Sequence, residues 1–271
     1  MPKREEMCSM RNNDWREHPI DCQKVADIAG VLFNAEWIKN NGSNIYYCKT
    51  HCMPRNIKHM PKTPFILLTS SSDSSVTDAI AQYLPKNIIK WFTNNNEALD
   101  ERVETIPIGF VFNQQRTEYI INESHIMRDK QNLLYVNFTR HLACRAGLYE
   151  MFGKFPWVTM KGGESFNSVF PKEFYQDIAE HQYVLSPHGA GPDCHRTYEA
   201  LALGSIPVVK WNLAYRHLLD MPVLFVNSWN EVTQKLLEDK YAELVAKFKE
   251  PSMQKLSMKY WKERILTCHL S

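Results

Sequence analysis

The chain has 271 residues, a formal net charge of +2 and 44% hydrophobic residues, which suits two α/β domains with cores of their own. This charge excludes a strongly basic protein of the kind that binds nucleic acid. No apolar run approaches the roughly 18 residues of a membrane span, and the first residues lack the apolar core of a signal peptide. We therefore expect a cytoplasmic protein. A Golgi chain without its anchor would look the same.

The cysteines and the glycosylation patterns give little direction. The seven cysteines indicate neither a zinc site nor a complete disulfide framework, since their number is odd and no pair has Cys-x-x-Cys spacing. The glycosylation acceptor pattern occurs at Asn41, Asn122 and Asn137. Such matches are frequent by chance, and Asn137 follows a predicted core strand.

Apolar spacing predicts the elements of the first half. A helix is predicted over Asp21–Ile38, a strand at Ile45–Cys48, and a loop with basic residues and two prolines over residues 49–62. The next predicted elements are strands at Phe65–Leu68 and Asn87–Phe92 and a helix at Val76–Tyr83.

Asp73 is the candidate general base. It closely follows the buried strand Phe65–Leu68, and ligands of open α/β sheets bind beyond the carboxyl ends of strands. The alternative is that Asp73 or a neighbouring serine only caps the following helix. The candidates for contact with an acceptor substrate are His51, Arg55 and Trp91. For His51 and Arg55 the alternative is that they lie on an ordinary surface loop.

A linker and a second domain follow. Ile106–Val111 is expected to close the first domain, and the polar segment Gln114–Gln131 to serve as a linker with a short helix. The second half is predicted to contain strands at Leu133–Asn137, Trp157–Met160, Tyr183–Leu185, Ile206–Val209 and Val223–Val226, a helix ending at Phe152, and helices at Phe174–His181, Trp229–Leu237, Lys240–Phe248 and Ser257–Thr267.

Residues 183–209 form the most informative stretch. They are predicted to fold as a strand, a glycine-rich loop, a helix and a second strand, with Asp193 as the helix N-cap and Gly204 as its stop signal. A helix N-terminus beside glycines presents free N–H groups and the positive end of a dipole to a ligand. The stretch therefore predicts an anion site.

Charged side chains at this turn indicate a nucleotide. Arg196 lies in the first helical turn, where a guanidinium can bind phosphate. Glu199 lies on the same face of the helix, where a carboxylate can accept hydrogen bonds from ribose hydroxyl groups. Arg140 and Arg145 flank the earlier strand-to-helix turn, with ordinary surface arginines as the alternative. The candidate binding residues are Thr139, Arg140, Arg145, Ser186, His188, Gly189, His195, Arg196 and Glu199.

The same stretch carries a family resemblance. Leu185-Ser-Pro-His-Gly189, Asp193-Cys-His-Arg-Thr-Tyr-Glu-Ala-Leu201 and Leu219-Asp-Met-Pro-Val-Leu-Phe-Val-Asn-Ser-Trp229 resemble the carboxy-terminal half of exostosin-like glycosyltransferases. A weaker resemblance covers residues 60–265, including Lys90–Asn95 and Ile106–Gly109. The chain is similar to small stand-alone members from microbes and large algal viruses, and for a viral member the resemblance implies the host cytoplasm.

The resemblance implies a fold and a donor. It implies the two-domain GT-B fold, in which two Rossmann-like domains face each other across a cleft. Residues 1–128 would form the acceptor-side domain with its linker, and residues 129–271 the nucleotide-sugar-binding domain. The last helix, at about residues 257–267, would pack back on the first domain. A UDP-sugar donor, a glycan acceptor and inversion at the anomeric carbon are implied as well.

These considerations predict a metal-independent transferase that moves one sugar, with a leaning toward xylose. No cofactor is expected, because the chain has no Asp-x-Asp pair; Arg196, the helix end and Arg140 or Arg145 would stabilise the leaving diphosphate instead. Asp73 would deprotonate the acceptor. Two alternatives are a metal hydrolase built on His188, Asp193, Cys194 and His195, and a carbohydrate-binding module that uses Trp91, Trp157 and Trp211.

Overall fold

The computed structural model describes residues 31–33, 38–40, 44–111, 114–126, 128–140, 142–162 and 171–268, apart from the side chains of residues 31–33, 38–40, 55, 56 and 171. Within these ranges the chain forms two sheets of mostly parallel strands, with helices packed on them. The predicted α/β class is therefore confirmed.

The first sheet consists of β1 (Val31–Phe33), β2 (Ile38–Asn40), β3 (Ile45–Lys49), β4 (Phe65–Ser70), β5 (Ile88–Thr93) and β6 (Val103–Thr105). Its order is β2-β1-β3-β4-β5-β6, in which β1 and β2 pair antiparallel and the other neighbours pair in parallel. Every residue of β4 is buried, which is typical of a parallel strand covered on both faces.

The second sheet consists of β7 (Asn132–Val136), β8 (Val158–Met160), β9 (His181–Leu185), β10 (Ile206–Lys210) and β11 (Leu224–Val226). Its order is β11-β10-β9-β7-β8, with parallel pairing throughout. The chain runs from β7 to β8 on one side and then continues with β9 on the other side of β7. This reversal is a topological switch point, and the loops after β7 and β9 border it.

Eight α-helices and seven 3₁₀ segments lie in the described ranges. None of those in the described ranges is long and apolar enough to cross a bilayer. The α-helices are α1 (Met53–Asn56), α2 (Asp78–Ala81), α3 (Gln114–Ser124), α4 (Leu148–Phe152), α5 (Pro171–Glu180), α6 (His195–Ala202), α7 (Gln234–Ala246) and α8 (Met258–Thr267), and 3₁₀ segments lie at Thr50–Cys52, Ile57–His59, Ala143–Arg145, Leu213–Leu218, Trp229–Glu231, Lys247–Lys249 and Pro251–Leu256.

Alternate residues of β4 belong to two layers of buried side chains. Phe65 and Leu67 belong to a smaller cluster that also contains Trp91. Ile66 and Leu68 belong to a larger cluster, which continues through the strands of the second sheet. The larger cluster therefore joins the two halves of the chain.

The last helix, α8, lies against the first sheet. Arg264 of α8 pairs with Glu104 of β6 at 2.9 Å, and Trp261 and Ile265 are buried in the larger cluster. Ser257 begins the helix, because its side chain accepts the N–H of Lys259. The domain boundary between residues 128 and 129 stays a prediction.

The strands agree with their predictions more closely than the helix and the loop predicted in the first half do. Predicted strands β3, β4, β5 and β7 to β11 are confirmed to within two residues at each end. The helix predicted over Asp21–Ile38 is wrong at Val31–Phe33 and Ile38, which form strands; its remaining residues lie outside the described ranges. The loop predicted over residues 49–62 contains α1 and two 3₁₀ turns. Strand β6 was not predicted, since it depends on pairing with β5 rather than on its own apolar content.

Helix α6 ends in the glycine motif that the sequence predicts. Gly204 has φ +71°, and the N–H groups of Gly204 and Ser205 donate to the C=O groups of Leu201 and Ala200 at 3.1 and 2.8 Å. This pair of bonds is the Schellman motif, which satisfies two of the last carbonyl groups of the helix.

We predict that Gly204→Ala lowers the free energy of unfolding by about 1 to 2 kcal/mol, because a Cβ is unfavourable at positive φ. A Cβ would lie 3.7 Å from Lys130 Cε, an ordinary contact, so that backbone strain alone would be responsible. Urea unfolding measures the difference. Gly204→Asn is the matched control and should lose less, since asparagine tolerates this conformation better. Equal stability of Gly204→Ala and the wild type would contradict this account.

Candidate functional site

A cleft of about 360 Å³ lies between the carboxyl-end loops of the two sheets. The loops after β4 and β5 border it from the first sheet, and the loops after β9 and β10 border it from the second. Ligands of α/β sheets bind at this edge. The lining residues are Ser75, Glu97, Ser186, His188, Ala190, Pro192, Lys210, Trp211, Asn212 and Tyr215.

Arg145 fixes the glycine-rich loop, residues 186–192, beside the switch point. Its guanidinium donates to the carbonyl oxygens of His188 and Pro187 at 3.0 and 3.4 Å and to Thr139 Oγ1 at 3.0 Å. The side chain is 7% exposed, and this burial lowers the pKa of Arg145. Arg145 and Thr139 thus hold the loop in place through their contacts with each other and with its backbone.

Arg196 has a buried donor without an acceptor. Its guanidinium lies 6.0 and 5.8 Å from the ring centres of Phe138 and Phe174, and Nη1 lies 3.9 Å from the Cys194 sulfur. Its Nε is buried and has no hydrogen-bond partner within the described part of the chain. An unsatisfied buried donor costs free energy, and a charged donor costs more. The site therefore favours an anionic acceptor near Arg196.

The N-terminal end of α6 binds a carboxylate of the chain itself. Asp193 accepts the N–H groups of Ile108 and Cys194 at 2.8 and 2.9 Å and the hydroxyl of Tyr198 at 2.8 Å. Burial raises the pKa of Asp193 to about 6. The predicted N-cap at Asp193 is wrong, because Cys194 occupies that position and makes no side-chain cap bond. Asp193 instead links the turn to the first half of the chain at Ile108.

Asn95 makes a second link between the halves. Its Oδ1 accepts the N–H of Asp193 at 2.9 Å, and its Nδ2 donates to the C=O of Ser72 at 3.0 Å. Asn95 has φ +52°, a conformation that asparagine tolerates better than most residues. A Cβ on Gly191 would lie 2.8 Å from Asn95 Nδ2, so this close approach requires glycine. One amide thus fixes the loop that carries Asp73 against the glycine-rich loop.

Most of the predicted residues lie around these two loops. Asp73 is exposed, and its carbonyl oxygen lies 3.0 Å from the place that a Cβ of Gly191 would occupy. His188 is exposed at the cleft, and Ser186 is buried beside Thr197. A Cβ added to Gly189 would lie 3.7 Å from Arg145 Nη2. Nδ1 of His195 lies 2.7 Å from the carbonyl oxygen of Gly109. Arg140 is exposed and lies over the ring of Tyr149.

Two of the predicted residues, Glu199 and Trp91, are buried and do not line the cleft. Glu199 is 3% exposed and accepts the hydroxyl of Tyr175 at 3.1 Å. Trp91 is fully buried, and its Nε1 donates to Thr69, so its ring belongs to the core and is closed to an acceptor. His51 is exposed on a 3₁₀ turn, and the side chain of Arg55 lies outside the described residues.

Several residues that line the cleft are not among the individual site residues predicted from the sequence. Glu97 Oε1 accepts Asn212 Nδ2 at 2.6 Å, which joins the loops after β5 and β10, and the Tyr215 hydroxyl donates to the C=O of Pro192 at 2.7 Å. Lys210, at the exposed end of the buried strand β10, also lines the cleft. Lys210 directly follows an apolar run, and this position could have identified it from the sequence as a residue at the carboxyl end of a strand. The sequence around Glu97 contains no comparable signal.

The two alternative functions find little support in these positions. In the described ranges no group of three His, Cys, Asp or Glu side chains could hold a metal ion. The carboxylate of Asp193 and Nδ1 of His195 already bond within the chain. Among the tryptophans of the binding-module alternative, Trp157 stacks on Phe155 and Trp211 lines the cleft, so they do not form one surface with the buried Trp91.

Comparison with known proteins relates the second half to one family. Residues 157–264 match the family model of the RXYLT1 C-terminal domain, which is xylosyltransferase-like and related to exostosins. This match supports a glycosyltransferase. No curated protein sequence matches the chain. The crystal structure of a GtfA/B complex is similar at a TM-score of 0.35 and 12% identity; the match covers 83% of this chain and 56% of that one.

We predict that the unfolding free energy of the wild type falls relative to that of Asp193→Asn as the pH rises from 3.8 to about 6. Burial raises the folded-state pKa above the ordinary value, so the folded state holds an extra proton in this window and stability is lost as the carboxyl ionises. At about 1.4 kcal/mol per pKa unit, the full change is about 3 kcal/mol.

Urea unfolding at a series of pH values measures this change. Asp100 is the control, because the hydrogen bond from Arg102 lowers its pKa, so the wild type should gain stability relative to Asp100→Asn as the pH rises. Slopes of the same sign for both residues would contradict the assignment.

Proposed function

We propose that the protein is a glycosyltransferase that moves one sugar, preferably xylose, from a UDP-sugar to a hydroxyl group of a glycan acceptor. One observation carries the proposal: the arginine-bearing turn at β9 and α6 borders a cleft and lies within the match to a xylosyltransferase-like domain. The proposal includes a GT-B arrangement of residues 1–128 and 129–271, inversion at the anomeric carbon and a cytoplasmic location.

The donor diphosphate would lie across the glycine-rich loop. Lys210 lies on the cleft side of this loop, and Arg196 lies beside Phe138, which follows β7. A phosphate oxygen would supply the acceptor that the buried Nε of Arg196 lacks. Arg145, which is already bonded to the loop backbone, would keep the loop in position and add positive charge. In this scheme the arginines stabilise the leaving diphosphate without a metal ion.

Asp73 would accept the proton of the acceptor hydroxyl. The loop that carries it is fixed by the bonds of Asn95 to Ser72 and Asp193, which brings it against Gly191. In a single displacement the acceptor oxygen would bond to the anomeric carbon, the bond from that carbon to UDP would break, and the acceptor proton would pass to Asp73. Attack from the face opposite UDP gives inversion.

We predict that Arg196→Met weakens UDP binding by about tenfold to a hundredfold, the value of a lost charged hydrogen bond. Isothermal titration calorimetry, in the presence of a chelator, measures the affinity. Lys172→Met removes one positive charge from an exposed position of α5 and serves as the control. Unchanged affinity of Arg196→Met would remove Arg196 from the phosphate site, and binding that needs manganese would refute the metal-free scheme.

We predict that Asp73→Asn lowers the rate of sugar transfer by about a hundredfold or more and leaves UDP affinity unchanged, because the variant loses only the proton acceptor. The measurement is transfer from UDP-xylose and other UDP-sugars to a glycan panel, beside UDP calorimetry. Asp129→Asn, exposed and remote in sequence from the loop, is the control. Strong residual transfer by Asp73→Asn would assign proton removal to another group.

A further inference from the structure

The cleft has two walls of different chemistry. The first-sheet wall consists of Ser75 and Glu97, and the second-sheet wall contains the glycine-rich loop and Lys210. Glu97 is the one acidic residue among the described residues that line the cleft. A carboxylate repels a diphosphate and accepts hydrogen bonds from hydroxyl groups. The two walls therefore suit different parts of one ligand: phosphate beside Lys210, and hydroxyl groups beside Glu97.

Glu97 is held firmly in place. Its N–H donates to the C=O of Val76 at 2.8 Å, and its Oε1 accepts Nδ2 of Asn212 at 2.6 Å. Asn212 is fixed in turn, because its Oδ1 accepts the N–H of Ala214 at 2.8 Å as a helix N-cap. A carboxylate has about four acceptor positions, of which Asn212 occupies one. The remaining positions can accept hydroxyl groups without a rearrangement of the site.

Trp211 adds an apolar surface next to this pair. Its ring lines the cleft, is 37% exposed and packs edge-on against Phe225 at 5.3 Å. A sugar ring has hydroxyl groups at its rim and C–H groups on its faces. A fixed carboxylate beside a fixed aromatic ring matches both.

We propose that Glu97 and Asn212 form the subsite that binds the hydroxyl groups of the transferred sugar, with Trp211 as its apolar wall. This inference rests on the proposed transferase function and names the part of the donor that each wall binds. Ser75 of the same wall is two residues from Asp73, so the sugar would lie near the proposed proton acceptor. Glu97 is then a specificity residue: it distinguishes donors by their hydroxyl groups.

The test is a comparison of donors in the wild type and in Glu97→Gln. Glutamine keeps the shape and an oxygen for Asn212 but loses the charge. The probes are UDP, UDP-xylose and the monodeoxy analogues of UDP-xylose. We expect the wild type to bind UDP-xylose at least about tenfold more tightly than one of the deoxy analogues, since a site built for a hydroxyl rejects a ligand without it. Glu97→Gln should bind these two donors alike and bind UDP as the wild type does.

Each other outcome has a definite meaning. The inference is overturned if Glu97→Gln still distinguishes UDP-xylose from the deoxy analogue. It is also overturned if the wild type binds UDP-xylose no more tightly than UDP. A wild type that does not bind UDP overturns the transferase proposal instead. Glu101→Gln, an exposed glutamate of the same half, should keep the discrimination. Asn212→Asp, which keeps the cap oxygen and loses the amide donor, provides a second variant in case Glu97→Gln does not fold; unchanged discrimination in it overturns the inference as well.

Discussion

The position of the glycine-rich loop depends on two buried polar side chains that connect the halves of the chain. Asp193 accepts the N–H of Ile108, and Asn95 accepts the N–H of Asp193 while it donates to Ser72. Each of these groups would be costly to bury without its partner. The bonds bring the loop after β4, the loop after β5 and the turn before α6 into one arrangement.

This arrangement lowers the stability of the fold, because it includes a buried carboxylate and residues with strained backbone conformations. Asp193 is 4% exposed, and burial raises its pKa despite the hydrogen bonds that it accepts from Ile108, Cys194 and Tyr198. Asn95 and Ser71, at the ends of adjacent strands, both have positive φ. Strain and buried charge persist where the surrounding structure fixes them, and they often accompany binding sites. Here they lie directly beside the cleft.

Two arginine side chains near the glycine-rich loop contact uncharged groups of the described residues. Arg145 bonds to carbonyl oxygens and to a hydroxyl, and Arg196 contacts two aromatic rings and a sulfur. Burial lowers the pKa of Arg145, and the nearby positive charge of Arg196 lowers it further. Two guanidinium groups that lie close together, and whose partners among the described residues carry no full charge, favour the binding of an anion nearby. An anionic ligand is therefore favoured over a neutral one at this position.

The features that the sequence predicts depend on residues close together in the chain, whereas the features that it cannot predict depend on residues far apart. Gly204, the strands of the second sheet and the position of Arg196 follow from spacing within a few residues, which a local pattern records. Glu199 shows the limit of such reasoning: helical spacing places it near Arg196, but only the packing of α5 on α6 decides that its carboxylate meets Tyr175 inside the protein. Glu97 and Asn212 are 115 residues apart and meet only because β5 and β10 end at the same cleft. Their contact depends on how two sheets are placed, and no local rule contains that information.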